Sequence, residues 1–344
     1  MGKGNAALNR ARKEKNDEFY TQKKDIEKEL IYYHHYLKDK IVYCNCDDYR
    51  KSKFVEYFME NFEKIGLKKL ISTGFSKDGQ GTYSEYDGTV FKTGFLKGNG
   101  DALGEECTEI LKQADVVVTN PPFSLFRKYV SHLMKYEKKF LIIGNLNAVT
   151  YKELFPLIKE NKVWMGATCF NGGATHFIAP SELYDAEKMS NPKNAYFENG
   201  KFMWRVNGVR WFTNVEHSKR HIPIDLYKKY SPESYPKYDN YDAIEVSKFT
   251  DTPMDYDGVM GVPISMVDKY CPTQFEIIGG FNGYKECDYE NALLCGTPTE
   301  YVDKNGKTKI WTGPTINKKT VYYRILIRKK KAEPIVEVET TDNK

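Results

Sequence analysis

The chain has 344 residues, with 52 Lys and Arg against 47 Asp and Glu for a formal charge of +5, and is 40% hydrophobic and 29% charged. That length suits about two average domains, and the composition excludes a disordered, collagen-like or coiled-coil chain. The longest strongly apolar runs, Val116–Val118 and Phe140–Ile143, fall far below the roughly 18 residues of a membrane span.

Met1 to Lys15 is polar and basic without an apolar core, and position 6 is Ala, so neither a secretory signal nor a myristoylation motif is read. A cytoplasmic protein is expected. The seven cysteines (44, 46, 107, 169, 271, 287, 295) are odd in number and lack a Cys-x-x-Cys pair, which predicts reduced thiols and neither a disulfide framework nor a metal site. Cys44 and Cys46, two apart in a predicted strand, are read as small core side chains on one face.

The predicted elements begin with an amphipathic helix carrying Ile26, Leu30, Tyr33 and Leu37, started by Thr21 or Asp25 as cap. A strand at 41–45, a helix with Phe54, Phe58, Phe62 and Ile65 ended by Gly66, and a strand at 69–73 make a β-α-β unit. Alternation over 82–93 around Asp87-Gly88 predicts a hairpin. A helix near 105–113, a strand at 115–119, a helix at 124–136 and a strand at 139–144 follow. Strands separated by helices imply an α/β fold with a largely parallel sheet covered on both faces. Beyond about residue 180 the texture shifts to Pro, Tyr, Asp and Lys with short alternating runs, predicting a β-rich region over 181–331 and a frayed tail over 332–344. That region is given room to return strands to the first sheet.

The sharpest motif is Asp115-Val116-Val117-Val118-Thr119-Asn120-Pro121-Pro122-Phe123, a buried strand running into a proline-stiffened corner and then a helix. In an open α/β sheet, ligands bind at the carboxyl ends of the strands, where this corner must lie. Two prolines fix φ and remove donors. The Asn120 side-chain oxygen and the Pro121 carbonyl can then accept from one NH₂ group and turn its lone pair outward. Phe123 can stack on the attached ring, and Asn120, Pro121, Pro122 and Phe123 are read as the catalytic corner for methyl transfer to an exocyclic amine. The competing reading is an ordinary turn that uses Asn and Pro.

With that motif in place the chain resembles the EcoRI-type adenine-specific DNA methyltransferases. The likeness runs through NDEFYTQKKDIEKEL (16–30), IVYCNCDDYRKSKF (41–54), GNGD (98–101), ADVVVTNPPFSLF (114–126), FLIIGNLNAVTYKE (140–153), VRWFTNVEH (209–217), YDGVMGVP (256–263) and QFEIIG (274–279). The resemblance implies a Rossmann-like S-adenosylmethionine-dependent methyltransferase sheet over 1–180, a C-terminal β-rich target-recognition region, and methyl transfer to a flipped-out adenine of double-stranded DNA. It further implies that Phe19, Tyr20 and Thr21 lie against the methionine part of the cofactor, that Cys46, Asp47 and Asp48 form the cofactor loop, and that Asp101 contacts the cofactor adenine, with nearby glycines admitting the ligand. The chain departs from many methyltransferases in lacking a Gly-x-Gly loop after the first strand and an acid after the second, where Ser72-Thr73 stands. Asp47-Asp48 can equally be the cap of the helix near Ser52, and Asp101 a turn residue.

Residues 201–230 carry seven bases against Glu216 and Asp225, interleaved with Phe202, Trp204, Trp211, Phe212, Tyr227 and Tyr230. Such a mixture can neutralise phosphates and stack bases, or it can be a solvated face over an aromatic sheet. Arg205, Arg210, Lys219 and Arg220 are taken as the DNA-contacting set. The expected protein acts on duplex DNA as a monomer, in restriction-modification or anti-restriction, with GAATTC a candidate site through the resemblance. A cognate restriction endonuclease is compatible with this but not shown by the sequence. RNA or protein-glutamine methylation, and a catalytically silent DNA-binding homologue, are the alternatives.

Overall fold

Ile26, Leu30, Tyr33 and Leu37 are fully buried along one stripe, formed by helix α1 (Lys23–Leu30), a 3-10 turn at Ile31–Tyr33 and a short α2 (His34–Leu37). The cap differs from expectation: it is Gln22, with no side-chain capping bond. These elements belong to a computed structural model that describes residues 21–170, 174–178, 195–283, 287–303 and 305–331. Two compact units are present. The first runs to Ile222 and includes Ile264–Lys269 and Asp288–Leu293; the second holds Pro223–Pro263, Tyr270–Cys287 and the residues from Leu294 onward.

In the first unit, β1 (Ile41–Asn45), α3 (Lys53–Glu60), α4 (Phe62–Ile65) and β2 (Lys69–Gly74) form the β-α-β unit. Ser52 caps α3, its Oγ accepting from the Phe54 and Val55 N–H groups at 3.1 and 3.3 Å, which satisfies donors a helix start leaves open. Gly66, at φ +73°, ends α4 in the left-handed conformation that favours glycine. The hairpin β3 (Thr82–Tyr86) and β4 (Phe91–Phe95) turns through Gly88 at φ +94°, and Asp87 Oδ1 accepts from Thr89 N and Val90 N at 3.0 and 2.8 Å.

Helix α5 (Glu105–Gln113), β5 (Val116–Thr119), α6 (Phe126–Lys135), β6 (Lys139–Asn145), α7 (Phe155–Lys159) and β7 (Trp164–Cys169) follow, then β8 (Ala174–Ile178), β9 (Ala195–Glu198), β10 (Lys201–Asn207) and β11 (Val209–Thr213). The main sheet has eight strands in the order β4-β3-β2-β1-β5-β6-β11-β7. Its centre, β2-β1-β5-β6, is parallel. The flanks are antiparallel, so the sheet is mixed where a largely parallel one was expected. The physical reason is short connection: a hairpin extends one edge, and β11 inserts between β6 and β7. Val42, Cys44, Val116, Val118, Leu141 and Ile143 join α1, α3 and α4 in one core, while the alternating Tyr43, Val117 and Ile142 are equally buried. Central strands covered on both faces thus read as continuous apolar runs, and each large side chain so buried contributes about 1.5–3 kcal/mol. A separate three-stranded sheet has the order β8-β10-β9.

The second unit is built on β12 (Ile244–Glu245), β13 (Met260–Pro263), β14 (Phe275–Phe281), β15 (Leu293–Leu294) and β20 (Arg324–Lys329), ordered β12-β13-β20-β14-β15. Small antiparallel pairs, β16 (Thr299–Val302) with β17 (Thr308–Trp311) and β18 (Thr315–Ile316) with β19 (Lys319–Thr320), complete it. Glu245, nearly buried, takes two bonds from Arg324 Nε at 3.0 Å, one from Nη2 at 2.7 Å and one from Tyr238 Oη. Cys287 and Cys295 are joined as a disulfide. This corrects the expectation that every cysteine is reduced: counting residues and spacings does not reveal that a loop returns to bring two of them within bonding reach. The residues of the expected tail, 332–344, lie outside the described residues.

Candidate active site

The chain leaves β1 toward β2 on one side, and β5 lies on the other, so the carboxyl ends of β1 and β5 flank a topological switch point. After Asn45 the chain cannot continue as strand, because the Cys46 and Asp47 N–H groups both donate to the Thr73 carbonyl at the end of β2, at 3.1 and 2.7 Å. Cys46 adopts φ +88° in this curl and is half-buried, unlike Cys44, so the two do not share a strand face as expected.

Asp47 is buried and acts as a strut. Its Oδ1 accepts from Ser52 Oγ and its Oδ2 from Thr119 Oγ1, both at 2.6 Å, tying the end of β1 to the start of α3 and to the residue before Asn120. Asp48 is gripped by Arg50 through Nε at 2.9 Å and Nη2 at 2.6 Å. Burial pushes its carboxyl up, but the hydrogen bonds from the Arg50 guanidinium and backbone N–H, with the charges of Arg50 and Lys51, together outweigh this and leave it below the usual carboxylate range. Neither acid is the helix cap; Ser52 is.

Asn120, half-buried on the rim, donates from Nδ2 to Thr21 Oγ1 at 3.2 Å. Thr21, Cys46, Asp47, Asp48 and Asn120 together line a cleft of about 360 Å³, within the size range of small-ligand sites. The lining also holds residues the sequence reading did not select: Arg50, Phe75, Thr82 and Phe95. Phe75 and Phe95 expose 43% and 66% of their surface, and Thr82 Oγ1 is buried without a hydrogen-bond partner among the described residues. A hairpin phenylalanine placed toward solvent beside a glycine-rich loop was the available signal for this part of the lining.

Four expected placements change. Phe123 is buried with its ring edge-on to Phe177 at 6.5 Å and does not line the cleft. Asp101 is exposed, its Oδ1 accepting from Leu103 N at 3.0 Å; it serves a turn and is absent from the cleft wall. Of the glycines beside it, Gly100 admits backbone, since a Cβ there would collide with the Gly74 carbonyl oxygen and lie 3.2 Å from the Gly81 Cα, while a Cβ on Gly98 would meet only Glu106 Oε2 at 3.5 Å. Arg210 and Arg220 are also withdrawn from the DNA-contacting set. Arg210 is buried and bound to Asp268 through Nε at 2.6 Å and Nη2 at 2.7 Å. Arg220 is held by Glu216 and Asn161 at 2.7 and 3.0 Å and lies 3.7 Å over the Trp164 ring. Phe202, Trp211 and Phe212 are core residues. Arg205 and Lys219 are exposed, Lys219 Nζ lying 4.5 Å over the Tyr32 ring. Phe19 and Tyr20 lie outside the described residues.

A polar cleft at the switch point, with Asn120 of the Asn-Pro-Pro-Phe sequence on its rim, fits the class of amine methyltransferases. The family model for the adenine-specific methyltransferase EcoRI matches residues 7–95 and 87–330. The chain belongs to this family and is an adenine-specific DNA methyltransferase. It is 43% identical to the type II methyltransferase M.EcoRI of Escherichia coli, over 96% of this chain and 98% of that protein. Identity is 37% to M.MgeORF184P of Mycoplasma genitalium, over 94% and 98% of the two chains, and 39% to M.MpnI of Mycoplasma pneumoniae, over 79% and 84%. No solved structure matches the chain. Among the described residues, no helix is long and apolar enough to cross a membrane.

Proposed function

We propose that the protein transfers a methyl group from S-adenosylmethionine to the exocyclic amine of an adenine flipped out of duplex DNA, using the switch-point cleft and its Asn120 rim. The observation that carries this reading is that Asn120 and the Cys46–Asp48 loop, 72 or more residues apart in sequence, border one cleft and are joined through Thr119 and Asp47.

The donor set suits the cofactor. Arg50 and Lys51 can meet its carboxylate, Asp48 its ammonium or ribose hydroxyls, and Phe75 and Phe95 its purine, while the unpartnered Thr82 hydroxyl marks polar capacity that this wall has not filled. Bound there, S-adenosylmethionine supplies an activated methyl carbon on a sulfonium centre. The protein's part is alignment and electrostatics. Asn120 Oδ1 and the Pro121 carbonyl accept from the target amine and hold its nitrogen toward the cleft; Pro121 and Pro122 keep that corner stiff. Extruding the base costs a few kcal/mol, and stacking on Phe123 would return about 1–3 kcal/mol if the ring leaves its Phe177 contact. The sheet of the first unit is read as the Rossmann-like cofactor domain and the β-rich region within 181–331 as the source of target recognition, with Arg205 and Lys219 as its retained candidates for phosphate contact.

The test is incubation with methyl-labelled S-adenosylmethionine and unmethylated duplex DNA, RNA or protein, followed by mapping of the modified base. Label in N6-methyladenine of duplex DNA is expected. Label confined to RNA or protein overturns the reading.

A further inference from the structure

Helix α6 leaves the catalytic corner with two unlike faces. Phe126, Tyr129, Val130 and Leu133 are buried. At about 100° per residue, Arg127, Lys128, Ser131, His132 and Lys135 fall on the other side. This side borders a second cleft of about 470 Å³, whose remaining walls are Leu103 and Glu153. Burial holds His132 below the ordinary histidine value, so three bases face one acid.

Two observations separate this face from an ordinary solvated helix. First, Arg127, Lys128 and Lys135 stand together on one helix face with no ion-pair partner among the described residues; in the basic 201–230 segment Arg210, Arg220 and Lys228 are paired, while Lys201, Arg205, Lys219 and Lys229 also have no ion pair among the described residues. Second, the Arg127 guanidinium lies 3.8 Å over the Tyr151 ring, which holds the charge in place without neutralising it. From Lys128 to Lys135 the helix advances about 10 Å, roughly three base-pair rises of duplex.

Resting on the reading that duplex DNA is the substrate, we propose that this face of α6 is a phosphate-binding surface that seats the DNA backbone beside the catalytic corner. Unpaired cations on one helix face, starting four residues after Phe123, complement a polyanion whose base enters the cleft at Asn120. The surface contributes position and affinity and reads no bases.

The test is duplex binding by fluorescence anisotropy across a salt series, comparing the parent with Arg127→Ala/Lys128→Ala/Lys135→Ala. A control, Lys24→Ala/Lys38→Ala/Lys68→Ala, removes the same charge from exposed positions elsewhere. Each lost phosphate contact should reduce the log–log salt slope by about 0.9, so the α6 triple is expected to lose up to about 2.7 while the control keeps the parent slope. Equal slopes in the two triples overturn the proposal. If the α6 triple does not fold, Lys128→Ala alone is read, with an expected loss of about 0.9 and an unchanged slope as the contrary result. A parent that shows no salt-dependent duplex binding instead removes the substrate reading itself, an outcome distinct from a parent that binds DNA through another face.

Discussion

Two regions of the main sheet differ in how far their polar groups are answered inside the protein. Toward β7 and β11, each charge is answered inside the protein. Glu29, fully buried, accepts from Tyr33 Oη at 2.8 Å, from the Ala167 and Thr168 N–H groups at 2.7 Å, and from the Thr168 hydroxyl, while Arg210 is held by Asp268. Gly166 permits this closure, since a Cβ there would stand 2.5 Å from the Trp211 Cβ. At the β1/β5 site, the Asp48–Arg50 pair borders an open cleft, and the Thr82 hydroxyl beside it has no partner among the described residues. Only the network left open keeps polar capacity for a further partner. A closed network serves the fold.

That contrast predicts different kinds of damage. The largest effect is expected from Asn120→Ala, which should reduce methyl transfer by at least about 10²–10³-fold, the scale of losing one oriented polar group at a reacting centre, with cofactor affinity and melting temperature little changed. Full turnover by this variant, measured with labelled cofactor, would remove Asn120 from catalysis. At the closed end, Glu29→Ala should leave several buried donors unpaired and cost about 3–5 kcal/mol of stability, read by denaturant unfolding. If the loss were below about 1 kcal/mol, the Glu29 cluster would not be the clamp its bond set describes.

The same contrast explains what could be read before folding. The corner at Asn120 was legible because strand, prolines, aromatic and helix follow one another along the chain, so sequence order alone places Asn120 at a strand's carboxyl end. The helix at 105–113 and the hairpin at Asp87-Gly88 were legible for similar local reasons. Arg210 and Trp211 were not, because a base and an aromatic ring look alike on a DNA-binding face and in a strand; only the insertion of β11 between β6 and β7, with Asp268 arriving from 58 residues away, decides between them. The strut that Asp47 forms was not legible, for the mirror-image reason. Its partners Ser52 and Thr119 are fixed by tertiary approach, and a ligand acid and a structural acid share one letter in the sequence. The Phe75 and Phe95 wall likewise becomes a wall only when the hairpin folds beside β2.

That wall offers a smaller test of the open end. Phe95→Ala should weaken S-adenosylmethionine binding by about tenfold, the worth of a lost ring contact of about 1.4 kcal/mol, whereas Asp101→Ala should change it less, because the Asp101 carboxylate serves the turn at Leu103. Isothermal titration of both variants sharpens the comparison. The reverse order would move the purine from the phenylalanine wall to the loop at 98–101.

The smallest effect concerns the closed end and acid. His217 is buried, its Nε2 lies 3.0 Å from the Met165 carbonyl, its ring meets Tyr33 edge-on at 5.8 Å, and its Nδ1 is buried without a partner among the described residues. Burial holds its pKa below the ordinary histidine value, with Arg220 and His221 acting in the same direction against Glu216 and the Met165 carbonyl. A lowered folded pKa means the unfolded chain takes up the proton first. His217 therefore contributes stability above about pH 6.5, and that contribution is lost as pH falls toward its folded value. His217→Gln keeps a donor for the Met165 carbonyl and cannot titrate, so its melting temperature should fall less than the parent's between pH 7.5 and 5.5. Equal losses would mean the ring finds an acceptor or water at Nδ1 when protonated, and the β7/β11 end would then be less closed than its hydrogen bonds require.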